Sequence, residues 1–303
     1  MRIFITGGAG FIGIHLCKKL LELNHSVTVY DNFSNSLQEN FISIMKQKVT
    51  LIPGDILDHS KLITSMKNHD VVIHLAAQIS VSESIRNPKL TFDVNVHGTQ
   101  NVLNACLQNN ITKIIATSTA AVYQNTSTKI ILNEKSPVEP LSPYGESKLE
   151  MEKKIINFAS TNKINAIILR LFNVYGIGQS LEYAGVITKF KEHIQNNSPL
   201  IIFGDGSAIR DFVHIDDVVN AIILSISHSK NSLCNIASGI STSISELAQI
   251  MIALSDKDIK ISNESLRSGE IMFSSSDISL AKEILKFTPK ITLKHGLEQF
   301  MSK

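Results

Sequence analysis

Apolar residues along the chain gather into short unbroken runs, and between the runs lie longer stretches in which apolar positions recur every three or four residues. The runs Arg2 to Thr6, Ser26 to Tyr30, Val49 to Ile52, Val71 to Leu75, Lys113 to Thr117 and Ile164 to Leu171 are rich in β-branched residues and predict strands. They are apolar at nearly every position, as strands covered on both faces should be. The intervening segments are long enough for crossover helices, so the pattern predicts an α/β fold built on a doubly wound parallel sheet.

Beyond Asn173 the pattern loosens into Gly, Asn and Ser clusters around 176–180, 204–207 and 238–243, which predicts a smaller, loop-rich C-terminal lobe. Asp216 to Ser227 reads as a helix with an acidic first turn, and Leu233 to Ala237 as a strand. The expected division is therefore 1–172 for the first lobe, with a returning segment near 212–237, and 173–211 plus 238–303 for the second.

Composition narrows the class. With 303 residues, 43% hydrophobic and 18% charged, the chain is neither disordered nor a charge-rich coiled coil. Its 29 basic and 27 acidic residues leave a net charge of +2 with no basic block, so nucleic acid is not an expected partner. Cys17, Cys106 and Cys234 are far apart, which argues against a disulfide framework or a thiolate zinc site and for a reducing compartment. Arg2 to Leu16 has the look of a signal peptide, but its glycines argue otherwise. No apolar run reaches the length of a membrane span, and a cytoplasmic protein is expected. The ten histidines lack metal-ligand spacing; His74 and His214 read as structural, and no metal is expected.

Thr6 to Gly13 joins the first strand to a helix. Glycines at Gly7, Gly10 and Gly13, with Phe11 and Ile12 opening the helix, allow a tight turn and close approach of a dinucleotide pyrophosphate to the helix N-terminus. The spacing also suits an ordinary tight loop. Asp31 ends the second strand eighteen residues after Gly13, where a carboxylate can take the adenosine ribose hydroxyls. No Arg or Lys follows before Lys46 to meet a 2′-phosphate, so NAD is expected rather than NADP. The competing role for Asp31 is a turn cap.

Tyr144 and Lys148 are four residues apart at the start of a helical stretch, on one face and about 6 Å apart along the axis. A tyrosine of pKa about 10 is only roughly 0.1% phenolate at pH 7, and making it a base near neutrality requires about 4 kcal/mol. One cation at about 4 Å supplies a contribution of that size at an effective dielectric near 20. Alone, such a pair is usually a solvated helix edge.

Ten segments occur in order: TGGAGFIG (6–13), YDN (30–32), GDILD (54–58), HLAAQ (74–78), NVHGT (95–99), TSTAAVY (117–123), SPYGESK (142–148), RLFNVYG (170–176), GDGSAIRDFVHIDDV (204–218) and RSGE (267–270). On these segments the chain resembles the extended short-chain dehydrogenase/reductase family over essentially its full length, and within it the NAD-dependent nucleotide-sugar 4-epimerases of the UDP-glucose and UDP-N-acetylglucosamine type. The resemblance implies a Rossmann domain for NAD. Tyr144 is then the general acid/base, Lys148 holds the nicotinamide ribose and lowers the Tyr144 pKa, and Thr119 hydrogen-bonds the substrate O4. It further implies that Asp31 and Asn32 lie at the adenosine, that Asp55 and Ile56 contact adenine, and that Leu75, Ala76 and Ala77 line the pyrophosphate side. Asn95 and Ser118 would support the cofactor, and Phe172 would close over its nicotinamide end.

For the UDP-sugar, the resemblance points to Asn173, Arg210 and Arg267 around the diphosphate, Ile201 and Phe203 around uracil, and Glu270 on its ribose. Two planar arginine forks on one diphosphate is sound chemistry; the alternative for Arg210 is an ion pair with Asp211, Asp216 or Asp217. Ser80 could reach the sugar or its phosphate, whereas Ser84 reads as a cap for the helix entered near Pro88. Ala120 and Ala121 stand where related dehydratases carry an Asp-Glu pair, and neither can move a proton. A C4 epimerase with a transient 4-keto sugar is the expected activity.

Ile79 replaces a pyrophosphate-contacting Lys of many bacterial UDP-galactose epimerases, and Ile177 a common Pro. Ser274 falls at a gate beside the sugar 2-substituent, small enough for N-acetyl sugars; the competing reading places it in a polar loop that touches nothing. The other readings of the whole chain are a uronate 4-epimerase, an oxidoreductase or dehydratase on a nucleotide sugar, and a non-catalytic NAD-sensing protein. Apolar faces around Phe92 to Leu107 and Leu149 to Phe158 suggest a homodimer through a four-helix contact.

Overall fold

A computed structural model describes residues 1–45, 48–126, 128–179, 185–266 and 271–302. The first part of the chain runs Arg2–Thr6 (β1), Phe11–Glu22 (α1), Ser26–Asp31 (β2), Gln38–Met45 (α2), Thr50–Pro53 (β3), His59–Ser65 (α3) and Val71–His74 (β4). Next come Val81–Arg86 (α4), Pro88–Phe92 (α5), a π-helical turn at Asp93–Gly98, Thr99–Gln108 (α6), Lys113–Thr119 (β5), Ile131–Leu132 (β6), Pro143–Asn162 (α7) and Asn165–Leu171 (β7). The remainder comprises Asn173–Tyr175 (β8), Val186–Gln195 (α8), Leu200–Phe203 (β9), Ile209–His214 (β10), Ile215–Ser227 (α9), Ser232–Ile236 (β11), Ser241–Ser243 (β12) and Ile244–Ala253 (α10). It closes with Ile261–Glu264 (β13), Phe273–Ser276 (β14), Ser279–Leu285 (α11) and Leu293–Met301 (α12).

Seven strands form one wholly parallel sheet in the order β11-β7-β5-β4-β1-β2-β3. Alternate side chains of each strand enter different cores. Ile3, Ile5, Ile73, Ile115, Ile167 and Leu169 meet α1, α9 and α11 on one face, while Phe4, Val72, Ile114, Ala116 and Ile168 meet α3, α6 and α7 on the other. The doubly wound sheet expected from continuously apolar runs is therefore present, and strand order reverses at β1 and β4. Outside the carboxyl ends of those two strands lies the crevice where open α/β sheets bind ligands.

A smaller mixed sheet, β12-β10-β14-β6 with β8 on β10, and the pair β13-β9 complete the described residues. The returning segment exists as α9 and β11, and a second return adds α11 and Phe287 to the first core. Among the described residues no helix is long and apolar enough to cross a membrane. All three cysteines are buried and free, and burial pushes each thiol up to about 12, leaving them inert.

His74 is a buried structural histidine whose two ring nitrogens meet the hydroxyls of Thr6 (2.7 Å) and Thr99 (2.9 Å). Burial, joined by the Lys148 charge, drives its pKa down to about 3, against about 6.5 in an unfolded chain. Between those values the unfolded chain binds the extra proton, so stability is lost as the pH falls below about 6.5. Denaturant titrations from neutrality to about pH 4.5 should therefore show, for His74→Gln, a pH slope shallower by up to about one proton than the parent.

Candidate active site

The turn after β1 is held from three sides. Gly7 adopts φ +69°, and a Cβ there would stand 2.5 Å from the Ala76 nitrogen; a Cβ on Gly13 would stand 2.4 Å from the Gly8 carbonyl oxygen. Backbone thus packs on backbone where only glycine fits, leaving a cradle at the start of α1. Gly10 is different: with φ −75° and a 3.4 Å nearest neighbour it needs no special conformation.

Asp31 is 9% exposed, and its carboxylate accepts from the amides of Ala9 (2.9 Å) and Phe33 (2.8 Å). The turn-capping role set against the ribose role is therefore real, and it ties the glycine turn to the end of β2. Burial raises the Asp31 pKa while the two amides work the other way; the lone pairs that remain can still accept ribose hydroxyls. Beside it, Asn32 donates to Asp55 Oδ2 at 2.9 Å. These observations fit a dinucleotide: a side-chain-free cradle at a helix N-terminus and paired carboxylates at the next strand ends. Leu75, Ala76 and Ala77 lie half-buried on the far rim.

Ile56 is a core residue instead, packed near Tyr30 and Gly98, with its carbonyl accepting from Asn101. Asn95 is fully buried in the π-helical turn, where it closes the Gln78 backbone (2.8 and 3.0 Å) and donates to Ser147 Oγ (2.9 Å). The Ser118 hydroxyl points away from the crevice to Glu152 Oε1 at 2.5 Å. Phe172 is 6% exposed in a small core with Tyr123 and Ala237, so its ring is a packing group.

Ser142 caps α7 by accepting from the Gly145 amide, and Pro143 begins the helix. Tyr144 therefore sits in the first turn, its phenol hydrogen-bonded by Thr119 at the end of β5. Thr119 also accepts from the Ala121 amide at 3.1 Å. One turn on, Lys148 is 4% exposed, donating to the Thr117 carbonyl (2.7 Å) and to Met151 Sδ (3.2 Å).

Burial raises Tyr144, the Thr119 hydrogen bond opposes it, and Lys148 points at a carbonyl. Lys148 is itself lowered to about 8 by burial, with Glu152 acting against the shift.

A second cavity of about 460 Å³ brings together Asn173, Ile201, Phe203 and Arg210. Asn173 donates to the Asp211 carbonyl at 3.0 Å, and Arg210 donates to the carbonyls of Ile209 and Ile271. Two carboxylates weighed as Arg210 partners are engaged elsewhere: Asp211 with Ser238 and Gly239, and Asp217 with the amides of Lys290 and Ile291. Sequence reasoning missed Val186, Lys189 and His193, which line the same cavity from α8; their spacing of three and four was the available signal.

Ser274 is no loop residue: it is 7% exposed in β14, directly across from Arg210. Arg267 and Glu270 lie outside the described residues. Ser80 caps α4 through the Glu83 amide, whereas the helix at Pro88 is capped by Asn87 and Ser84 donates to the Val81 carbonyl. The capping expected of Ser84 thus falls to Ser80 and Asn87. Among the described residues no group of three His, Cys, Asp or Glu could hold a metal.

Residues 3–237 match the NAD dependent epimerase/dehydratase family. The UDP-glucose 4-epimerase of Thermotoga maritima, solved with UDP-glucose, is 32% identical, with a TM-score of 0.93 and coverage of 100% of this chain and 98% of that one. The UDP-N-acetylglucosamine 4-epimerase of Methanobrevibacter ruminantium M1, in complex with UDP-N-acetylmuramic acid, is 32% identical, with a TM-score of 0.94 over 99% and 97%. The UDP-glucuronic acid 4-epimerase of Bacillus cereus, with UDP-glucuronic acid and NAD, is 31% identical, with a TM-score of 0.89 over 100% and 98%.

Replacing Gly7 by Ala forces an L-residue into left-handed backbone, at about 1–2 kcal/mol, and drives a methyl into Ala76. Calorimetric titration should find NAD binding weaker by about tenfold or more in Gly7→Ala, while Gly10→Ala stays within about threefold of the parent.

Proposed function

The chain belongs to the NAD dependent epimerase/dehydratase family, and from that premise we propose that it interconverts the C4 epimers of a UDP-hexose, either UDP-glucose and UDP-galactose or their N-acetyl counterparts. What carries this reading is the hydrogen bond between Thr119 and Tyr144, with Lys148 one helical turn on, beside a turn, Ala120–Val122, that offers no carboxylate or other proton-moving side chain. Elimination of water needs an acid and a base at those positions; removal and return of one hydroxyl proton does not.

Tyr144 takes the proton of the sugar 4-hydroxyl and gives it back, with Thr119 aligning that hydroxyl. The magnitudes set the terms. Burial holds the phenol above its ordinary value near 10, so making it a base at neutrality requires more than about 4 kcal/mol. The positive charge must come from Lys148, held on the Thr117 carbonyl one turn along the helix, and from the cofactor. NAD, when bound, supplies a reversible hydride acceptor and, oxidised, a positively charged ring.

The shared cavity of Asn173, Arg210, Ile201 and Phe203 supports a role for the first two in holding the diphosphate while the sugar turns its other face, and for the last two about the uracil. Arg267 and Glu270 are proposed to complete the clamp. Ser274, whose side chain is small and which stands in register with Arg210, is proposed to face the sugar 2-substituent and to admit an N-acetyl group. A uronate is the second reading, favoured by likeness to the Bacillus cereus enzyme. Exposed Ile85, Leu90, Leu107 and Ile156 support a homodimer, which light scattering after gel filtration tests.

NMR product analysis with UDP-glucose, UDP-N-acetylglucosamine and UDP-glucuronate in parallel should yield the C4 epimer of a neutral hexose, with absorbance at 340 nm flat throughout. Sustained absorbance growth contradicts an epimerase. Tyr144→Phe should lower kcat by about 10² or more, and full activity in that variant sinks the mechanism. Ser274→Tyr should slow the N-acetyl sugar at least about tenfold and spare the plain hexose; equal rates on both remove the gate.

A further inference from the structure

Helix α7 carries Tyr144, Lys148 and Glu152 on successive turns, and three consecutive residues of β5 receive them. Thr119 meets the Tyr144 phenol, the Thr117 carbonyl meets the Lys148 ammonium, and the Ser118 hydroxyl meets the Glu152 carboxylate. The third of these contacts lies deepest, with Glu152 1% exposed and its partner Arg170 4% exposed. From β7, Arg170 closes a two-pronged fork on Glu152, Nε to Oε1 at 2.9 Å and Nη2 to Oε2 at 2.6 Å. Its guanidinium lies 4.7 Å from the Tyr123 ring centre, and the Tyr123 phenol donates to Asn235 at 2.6 Å.

Two parallel hydrogen bonds fix both distance and rotation, which a single contact does not. Seating α7 on the sheet does not require charges, because a buried ion pair can often be replaced by apolar residues at no loss of stability. The charge here stands one helical turn from Lys148, on the same face.

We propose that Glu152 is a positioning residue for Lys148. Clamped by Arg170 and Ser118, it holds α7 in the register that lays the ammonium on the Thr117 carbonyl, and its carboxylate keeps that ammonium charged. The proposal rests on the reading of Lys148 as part of the reacting centre.

The surroundings leave Glu152 as the main negative group. Tyr144 and His74 are neutral near pH 7, the former raised and the latter lowered by burial. Burial works against the charge on Arg170, but Glu152 outweighs it and keeps the guanidinium protonated. On the helices around α7, Arg86 pairs with Glu83 and Lys89 with Asp93 at the surface, and α6 carries no charged residue. Lys113 of β5 donates to the carbonyls of Ile226 and His228 at the opposite end of the strand. With burial lowering Lys148 to about 8 and Glu152 opposing that shift, loss of the carboxylate lowers the Lys148 pKa further.

The test is a titration of Lys148 itself, following its Cε shift against pH in carbon-13 lysine-labelled protein and assigning the signal by its loss in Lys148→Arg. Glu152→Met combined with Arg170→Met removes both charges without orphaning either. The midpoint should lie near 8 in the parent and fall by about one unit or more in the folded double variant. Glu152→Asp, which keeps the charge, should recover most of the shift. An unchanged midpoint in a cooperatively unfolding double variant overturns the proposal. Should the apolar pair fail to fold, Glu152→Gln with Arg170→Gln is titrated instead, under the same criterion. Full turnover by Tyr144→Phe would overturn the reading of the reacting centre while this titration still decides Glu152.

Discussion

An ammonium buried to 4% exposure must rest on an acceptor, and Lys148 rests on the carbonyl of Thr117. That contact is one of three by which successive turns of α7 meet β5. Around it the polar groups of the helix face are answered in turn: Ser147 donates to the Tyr144 carbonyl and accepts from Asn95, and Asn95 closes the Gln78 backbone after β4. The start of α7, the π-helical turn and the crevice rim thereby form one hydrogen-bonded body. A polar face buried this fully tolerates no partial satisfaction, because each orphaned group costs about 1–3 kcal/mol.

The large sheet was legible because both its faces are buried and the hydrophobic effect writes that directly into the sequence. The smaller sheet was not, and β14 shows why. Phe273–Ser276 is three-quarters serine, yet Ser274, Ser275 and Ser276 are buried, with Ser275 paired to Ser241 across 2.7 Å. Polarity answered by hydrogen bonds inside the fold looks, in one dimension, like polarity answered by water. β6 contributes only Ile131 and Leu132, too short for any period to appear.

The site divides in the same way. The glycine turn, Asp31, Tyr144 and Lys148 carry spacings that follow from local geometry, and the fold brings them to one end of the sheet. Ile56, Ser118 and Phe172 have side chains that pack inward, which spacing along the chain does not reveal. The net charge of +2 was likewise uninformative, since Arg210 and Lys189 gather on one cavity while Glu152 and Arg170 pair inside the core.

The chain passes between its two sheets more than once. Ile131 and Leu132 leave for the second sheet before β7 is laid down, β11 returns as the edge of the first, and Ala281, Leu285 and Phe287 come back to cover it. Neither core is complete until residue 287 has been made. During synthesis the face that α9 and α11 share with α1 therefore stays incomplete until those later helices are made, so this architecture has high contact order. Cutting the gene between the lobes would yield two fragments, each lacking part of its own core.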